Sequence, residues 1–331
     1  MRTRREVSIE HLGVRFGDGP KTVERSLVLA RREAGDKSVR ATSAVGVSLL
    51  MIALAGVMFA QSETRGIVPE EVIKARPQGK AGVPALAPKY LAAGPVNALR
   101  PAVGRQVGVT IWRLRPMAPG DSGARILVQD EDRTAEWVPE RVASSSSLTA
   151  GDRVRISVES PEAGYLYVID RERYASGERG APYLIFPTKR THSGDNRVAG
   201  GRLIDIPAQD DRPNFFSLRP SRPDQSEEEL TVMLTKEPIA GLEIGSKALV
   251  LSNEQVNGWE KEFGSAKVER FELADGSGKT WTRAEQQAAA DATRLLTQED
   301  PPPQTIYRVA AGRSDRLMIK VRLRYSAGHG K

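Results

Sequence analysis

The chain has 331 residues, 39% hydrophobic and 27% charged, which is enough to bury a sizeable core and too apolar for a disordered polypeptide. Its formal charge of +7 is uneven: residues 1–40 carry ten Lys and Arg against six acids, and residues 61–331 keep only +3, too little to argue for a nucleic-acid surface. Having no cysteine, the chain forms no disulfide, offers no thiolate nucleophile and binds no zinc through sulfur.

Residues 1–40 show little pattern, which points to a translation start downstream of Met1, and no structure is expected there. Ala44–Ala60 reads AVGVSLLMIALAGVMFA, seventeen uncharged residues behind Lys37 and Arg40. A cleavable signal needs an apolar centre of about 7–15 residues and a bilayer span needs about 17–25, so residues 41–60 read as either a signal peptide or a membrane anchor. Ala60 suits a cut before Gln61, whereas Met58 is larger than the usual residue at that site. Because the basic flank stays in the cytoplasm, everything after Gln61 is expected in the periplasm or outside the cell. Without cleavage it is held in the inner membrane by residues 44–60, with the N-terminus cytoplasmic. Residues 61–104 carry six prolines among Ala, Gly and Lys and read as a spacer.

The globular domain is expected over 105–326. A strand is expected at Arg125–Val128. Val154, Ile156 and Val158 alternate with Arg153, Arg155, Ser157 and Glu159, the period of a strand with one face in a core. Tyr165–Ile169 is apolar throughout and reads as a central strand buried on both faces. Further strands are expected at Tyr183–Phe186, Leu203–Ile206, Phe215–Leu218, Leu230–Leu234, Ala248–Leu251 and Val268–Leu273. Helices are expected near Glu254–Phe263 and from Arg283 to Leu296, the second opened by a Thr282/Glu285 capping box and stopped before Pro301-Pro302-Pro303. The last strand places Leu317, Ile319, Val321, Leu323 and Tyr325 inward and Arg316, Met318, Lys320, Arg322 and Arg324 outward. Many short strands with few helices predict a mainly β domain, a β-sandwich or partly open barrel with one or two inserted helices.

Leu148-Thr149-Ala150-Gly151-Asp152, the strand VRISVES, Gly164-Tyr165-Leu166-Tyr167-Val168, Leu184-Ile185-Phe186-Pro187 and Ile204-Asp205-Ile206-Pro207 together resemble the bacterial domain of unknown function family 4384. The core of the likeness covers about residues 145–240, within a span of about 105–325. The resemblance implies an exported or envelope-associated module with no established activity, and its motifs assign no functional residue.

Several motifs fall short of chemistry. Gly276-Ser277-Gly278-Lys279-Thr280 lies between a strand and a helix, but Leu273 stands where a phosphate-binding loop needs its first glycine. Gly120-Asp121-Ser122-Gly123 resembles a serine-protease nucleophile loop, yet the only upstream histidine is His11. The acidic runs Asp130–Asp132, Asp210-Asp211 and Glu227–Glu229 lack the spacing of a calcium loop. No cofactor is expected.

Two surfaces remain. If the strands carrying Arg153 and Arg155 and those carrying Arg316, Lys320, Arg322 and Arg324 are neighbours, six cations share one sheet face. Such a face suits an envelope protein or an anionic polymer or lipid, or it simply discourages edge pairing. A loop site gathers Asp170, Arg171, His192, Asp195, Asn196 and Arg197. The leading expectation is an exported, non-catalytic envelope-binding module. The alternative is a hydrolase acting on envelope material through carboxylates such as Asp170 and Asp195, at the separation of about 5–9 Å that glycoside hydrolysis uses.

Overall fold

The computed structural model describes residues 14–15, 73–74, 76–78, 105–130, 133–264, 266–273, 275–291, 294–310 and 316–326. The expected leader 41–60 lies outside these residues, as do most of residues 1–40 and of the expected spacer; within residues 1–40, for which the sequence predicts no structure, Val14–Arg15 forms a short strand because it pairs with Ser217 and Leu218. Among the described residues no helix is long and apolar enough to cross a membrane.

The strands run β1 (Val14–Arg15), β2 (Arg105–Pro116), β3 (Ile126–Asp130), β4 (Arg133–Val142), β5 (Ser147–Leu148), β6 (Arg153–Glu159), β7 (Gly164–Tyr174) and β8 (Tyr183–Phe186). There follow β9 (Arg197–Val198), β10 (Leu203–Ile206), β11 (Phe216–Leu218), β12 (Gln225–Thr235), β13 (Leu249–Val250), β14 (Val268–Glu272), β15 (Thr305–Val309) and β16 (Leu317–Tyr325). Two helices are inserted, α1 (Asn253–Phe263) and α2 (Arg283–Ala290). The first sheet is ordered β1-β11-β6-β2-β15-β14, with β10 beside β6 and the β3–β4 pair beside β2; the second is ordered β13-β8-β7-β12-β16-β5, with β9 beside β7. Neither closes into a barrel, and the molecule is a mainly β sandwich.

Period-two alternation builds the interior. Val154, Ile156 and Val158 of β6 meet Leu166 and Val168 of β7, Leu230, Val232 and Leu234 of β12, and the inward row Leu317, Ile319, Val321 and Leu323 of β16. Each such side chain, fully buried, contributes roughly 1.5–3 kcal/mol. β7 sits between β8 and β12 as a central strand, as its unbroken apolar run predicts.

Both outer faces are partly roofed, which alternation alone does not reveal. On the second sheet, Val256 and Phe263 of α1 cover Tyr167, Ile169, Met233 and Met318. On the first, Trp281 packs with Trp112, Leu114 and Phe215, its ring 5.9 Å from that of Trp112. The capping box forms as expected, with Thr282 Oγ1 accepting from Glu285 N and Glu285 Oε2 from Thr282 N. Thr282→Ala is expected to lose about 1 kcal/mol of stability by urea unfolding. Helix α2 ends at Ala290 rather than Leu296, because Leu296 is buried separately and its N–H bonds Gly201 O at 2.8 Å.

Candidate functional site: a cation-rich face on the second sheet

Three neighbouring strands put charge in register. One row across β7, β12 and β16 reads Arg171–Glu229–Arg322, and the next reads Arg173–Glu227–Arg324. The central strand supplies both carboxylates and the flanking strands the cations, at the spacing where cross-strand pairs interact. Arg173 and Arg179 donate to Glu229 at 2.7 and 2.9 Å, while Arg179 also reaches Glu260 of α1 at 2.7 Å. Lys320 Nζ bridges Glu229 at 3.1 Å and Glu260 at 3.0 Å. Burial acts to raise the Glu260 carboxyl, but hydrogen bonds from Arg179 and Lys320 prevail and hold it at about 2. Glu229 is likewise held below the usual carboxylate range, by Arg173 and Lys320 against the effect of burial. Burial pushes the Arg171 guanidinium down, with Arg179 adding to the effect, and its Nη2 donates to Asn253 Oδ1.

The face thus sets Arg173, Arg179, Lys320, Arg322 and Arg324 against Glu227, Glu229 and Glu260, with Arg171 buried beneath the N-terminal end of α1. Arg322 and Arg324 are the accessible members, with side chains 50% and 54% exposed. Their nearest carboxylate oxygens, on Glu227, lie at 3.5 and 4.0 Å. Such loose pairs leave the guanidinium donors open to an incoming anion.

This is not the face the sequence suggests. β6 and β16 belong to different sheets, so Arg153 and Arg155 do not join the β16 cations. Arg155 is not outward in solvent but buried beneath the roof of the first sheet, paired with Asp205 at 2.9 Å. Arg153 lies over the Trp137 and Phe215 rings at 4.5 and 4.6 Å. Arg316 pairs with Glu262 and stacks on Phe263. The cations that do join are Arg173 and Arg179. Arg171 and Arg173 were readable from the continued alternation of Asp170-Arg171-Glu172-Arg173, which carries β7 to Tyr174.

The expected loop site also divides. Asp195, Asn196 and Arg197 gather at the start of β7, where Arg197 lies opposite Tyr165, whereas Asp170 is five residues further along, about 17 Å at strand rise. Asp195 is engaged by Arg197 at 2.8 Å, which holds its carboxyl down at about 2, and Asn196 Nδ2 donates to Leu166 O. His192 has φ +49°; its Nε2 donates to Asp205 O at 2.6 Å and its N–H to Asp211, so it closes a turn. Asp170 and Asp195 therefore do not converge as a hydrolytic pair.

Asp170 belongs instead to a buried carboxyl trio with Glu172 and Glu228, which continue the inward rows of β7 and β12 beyond the apolar core. Asp170 Oδ1, Glu172 Oε1 and Glu228 Oε2 are buried with no hydrogen-bond partner among the described residues. Glu228 Oε1 also accepts from Gln225 Nε2 at 2.7 Å and Tyr325 OH at 2.8 Å, and Glu172 accepts from Tyr174 OH. Among the described residues no Lys or Arg forms an ion pair with any of the three. Burial, then the Glu172 charge, raises Asp170 to about 7; burial and Asp170 push Glu228 up as well. No group of three acidic or histidine side chains among the described residues is arranged to hold a metal ion.

The near-miss motifs have structural employment. Around Gly276–Thr280 the main chain is spent on β4, with Gly278 N donating to Arg141 O and Arg141 N to Lys279 O, both at 2.9 Å. In the Gly120–Gly123 turn, Asp121 binds Arg115 through both oxygens. Asp211 accepts from Ala208 N and His192 N, and Glu131 and Asp132 lie outside the described residues.

Fold and face together define a two-sheet β-sandwich with a cation-rich outer surface. Compared with known proteins, the chain matches no family model, no curated protein and no solved structure.

Proposed function

We propose that the chain is an exported, non-catalytic envelope module that lays the outer face of its second sheet against the phosphates of anionic lipid. The observation that carries this reading is the excess of five accessible cations over three carboxylates, with Arg322 and Arg324 half-exposed and only loosely paired. The apolar segment 44–60 supports a membrane-proximal location, since an anchor keeps the domain within reach of headgroups. The residues behind the resemblance to family 4384 fall in the Gly151 turn and in β6, β7, β8 and β10; they carry fold rather than chemistry, and we place the chain near that family on them alone.

The test compares full-length protein on vesicles with 30% phosphatidylglycerol and on pure phosphatidylcholine vesicles. The apolar segment acts on both, so the difference between them is the readout. At about 1 kcal/mol per basic residue near an anionic surface, R322E/R324E is expected to lower the phosphatidylglycerol-dependent binding about tenfold or more, and added salt to weaken it in the parent. Equal binding to the two compositions, or full retention by the charge-reversed variant, overturns the reading.

A further inference from the structure

Within the expected spacer, a short stretch of chain is docked on the domain by its arginine. Arg76 is only 6% exposed. Its Nε and Nη2 donate to the two oxygens of Glu159 on β6, at 2.9 and 2.7 Å, and its Nη1 donates to Asp300 O at 2.8 Å, with Thr297 O at 3.4 Å. The main chain around it is also read. Gln298 Nε2 donates to Arg76 O at 2.9 Å and Lys74 O at 3.2 Å, and Gln298 N donates to Pro77 O at 3.1 Å. Asp300 is itself held by Thr297 N and Arg294, at 2.7 and 2.6 Å, so the carbonyls that receive the guanidinium are fixed by the domain's own bonds. Arg76, Glu159 and Pro301–Pro303 line a small cavity of about 20 Å³ that also reaches Trp112 and Arg141.

A carboxylate presenting both oxygens on one side and carbonyls on the other matches the planar fork of a guanidinium and does not match the point charge of an ammonium. Three bonds to carbonyls of the passing chain add peptide recognition. In the sequence, 26 residues, 79–104, separate this segment from β2.

We propose that this cleft is an arginine-peptide binding site and that residues 73–78 are its tethered, exchangeable ligand, so that docking of Arg76 sets how much chain separates the domain from residues 44–60. Docked, only residues 61–72 lie between the apolar segment and the point of attachment. Released, the whole of 61–104 does. The site lies on the first sheet and is independent of the cation-rich face.

The experiment uses the full chain and a labelled peptide of sequence VIKARPQG, read by fluorescence anisotropy. Arg76→Ala vacates the cleft and is expected to bind the peptide, whereas the parent binds it about tenfold more weakly or worse, because its own segment competes at an effective concentration in the millimolar range. A peptide with lysine in place of the arginine is expected to lose about tenfold or more on the Arg76→Ala chain, and Glu159→Gln in that background to abolish uptake. Arg76→Lys keeps a cation beside Glu159 and serves the same test if the alanine variant does not fold. The proposal is overturned if neither variant binds the peptide, if variants and parent bind it equally, or if the lysine peptide binds as well as the arginine one.

Discussion

Asp205→Ala is expected to destabilise the sandwich by about 3–5 kcal/mol, because it strands a buried charge. Arg155 and Asp205 are each 1% exposed. Burial lowers the guanidinium's pKa and raises the carboxyl's, and each partner counters the other's shift. The pair sits in a chain of bonds. Trp112 Nε1 donates to Ser157 Oγ at 2.7 Å, Ser157 Oγ donates to Asp205, and Arg155 Nη1 reaches Asn214 O at 3.1 Å beneath the Trp281 ring. Removing one acceptor leaves the guanidinium without its counter-charge under a roof that excludes water. The double replacement R155M/D205L, which removes both charges, is expected to lose markedly less than the alanine variant. Urea unfolding of the two variants beside the parent measures this, and a double variant no better than the single one contradicts it.

Glu228→Gln is expected to stabilise the protein at pH 8 and to flatten its stability profile between pH 4 and 8. Asp170 rises from its ordinary 3.8 to about 7 on folding, so over that interval the folded state holds a proton that the unfolded chain releases. A raised acid pKa gives stability that is full below the unfolded value and is lost as pH climbs through the folded one. At 1.36 kcal/mol per pH unit Asp170 alone accounts for a loss on the order of 4 kcal/mol, and Glu228, raised by burial and by Asp170, adds a loss of the same sign, which is the part the variant removes. An amide at 228 does not titrate, so the stability that Glu228 loses as its raised carboxyl gives up its proton is no longer lost. Carboxylates held low, such as Asp195 and Glu260, act in the opposite sense, so the difference between variant and parent melts at pH 5 and pH 8 is the readout. A Glu228→Gln chain that melts below the parent at pH 8 refutes the assignment.

Legibility in the sequence followed how each strand meets its neighbours. β6, β7 and β16 announce themselves because one face of each contributes an unbroken inward row, and their period survives reading one residue at a time. β4 does not, since Pro139 interrupts Arg133–Val142 and a proline ordinarily speaks against a strand; it is tolerated where Trp281 N donates to the Pro139 carbonyl from a passing segment. β15 was masked by the triple proline just before it. Arg155 was misread for a different reason. Alternation tells that a side chain leaves the core, not whether a second layer waits outside it, and here the Trp281 segment does. The carboxyl trio was equally hidden, because Asp170 and Glu228 lie far apart in the chain and meet only through the pairing of β7 with β12. The acids of β12 face opposite ways, Glu228 inward and its neighbours outward, a division of labour that a run of three glutamates does not display.

Strand β1 carries one more implication. Val14 and Arg15 form a rung beside Leu218 and Ser217 at the rim of the first sheet, and the apolar stretch 44–60 falls between the two partners along the chain. A single pass through the bilayer puts those partners in different compartments and bares the rim of β11. A looped insertion returns both ends to one side and keeps the rim sealed. On the proposed reading of residues 44–60 as a membrane segment, its topology therefore decides whether the domain carries an open seam.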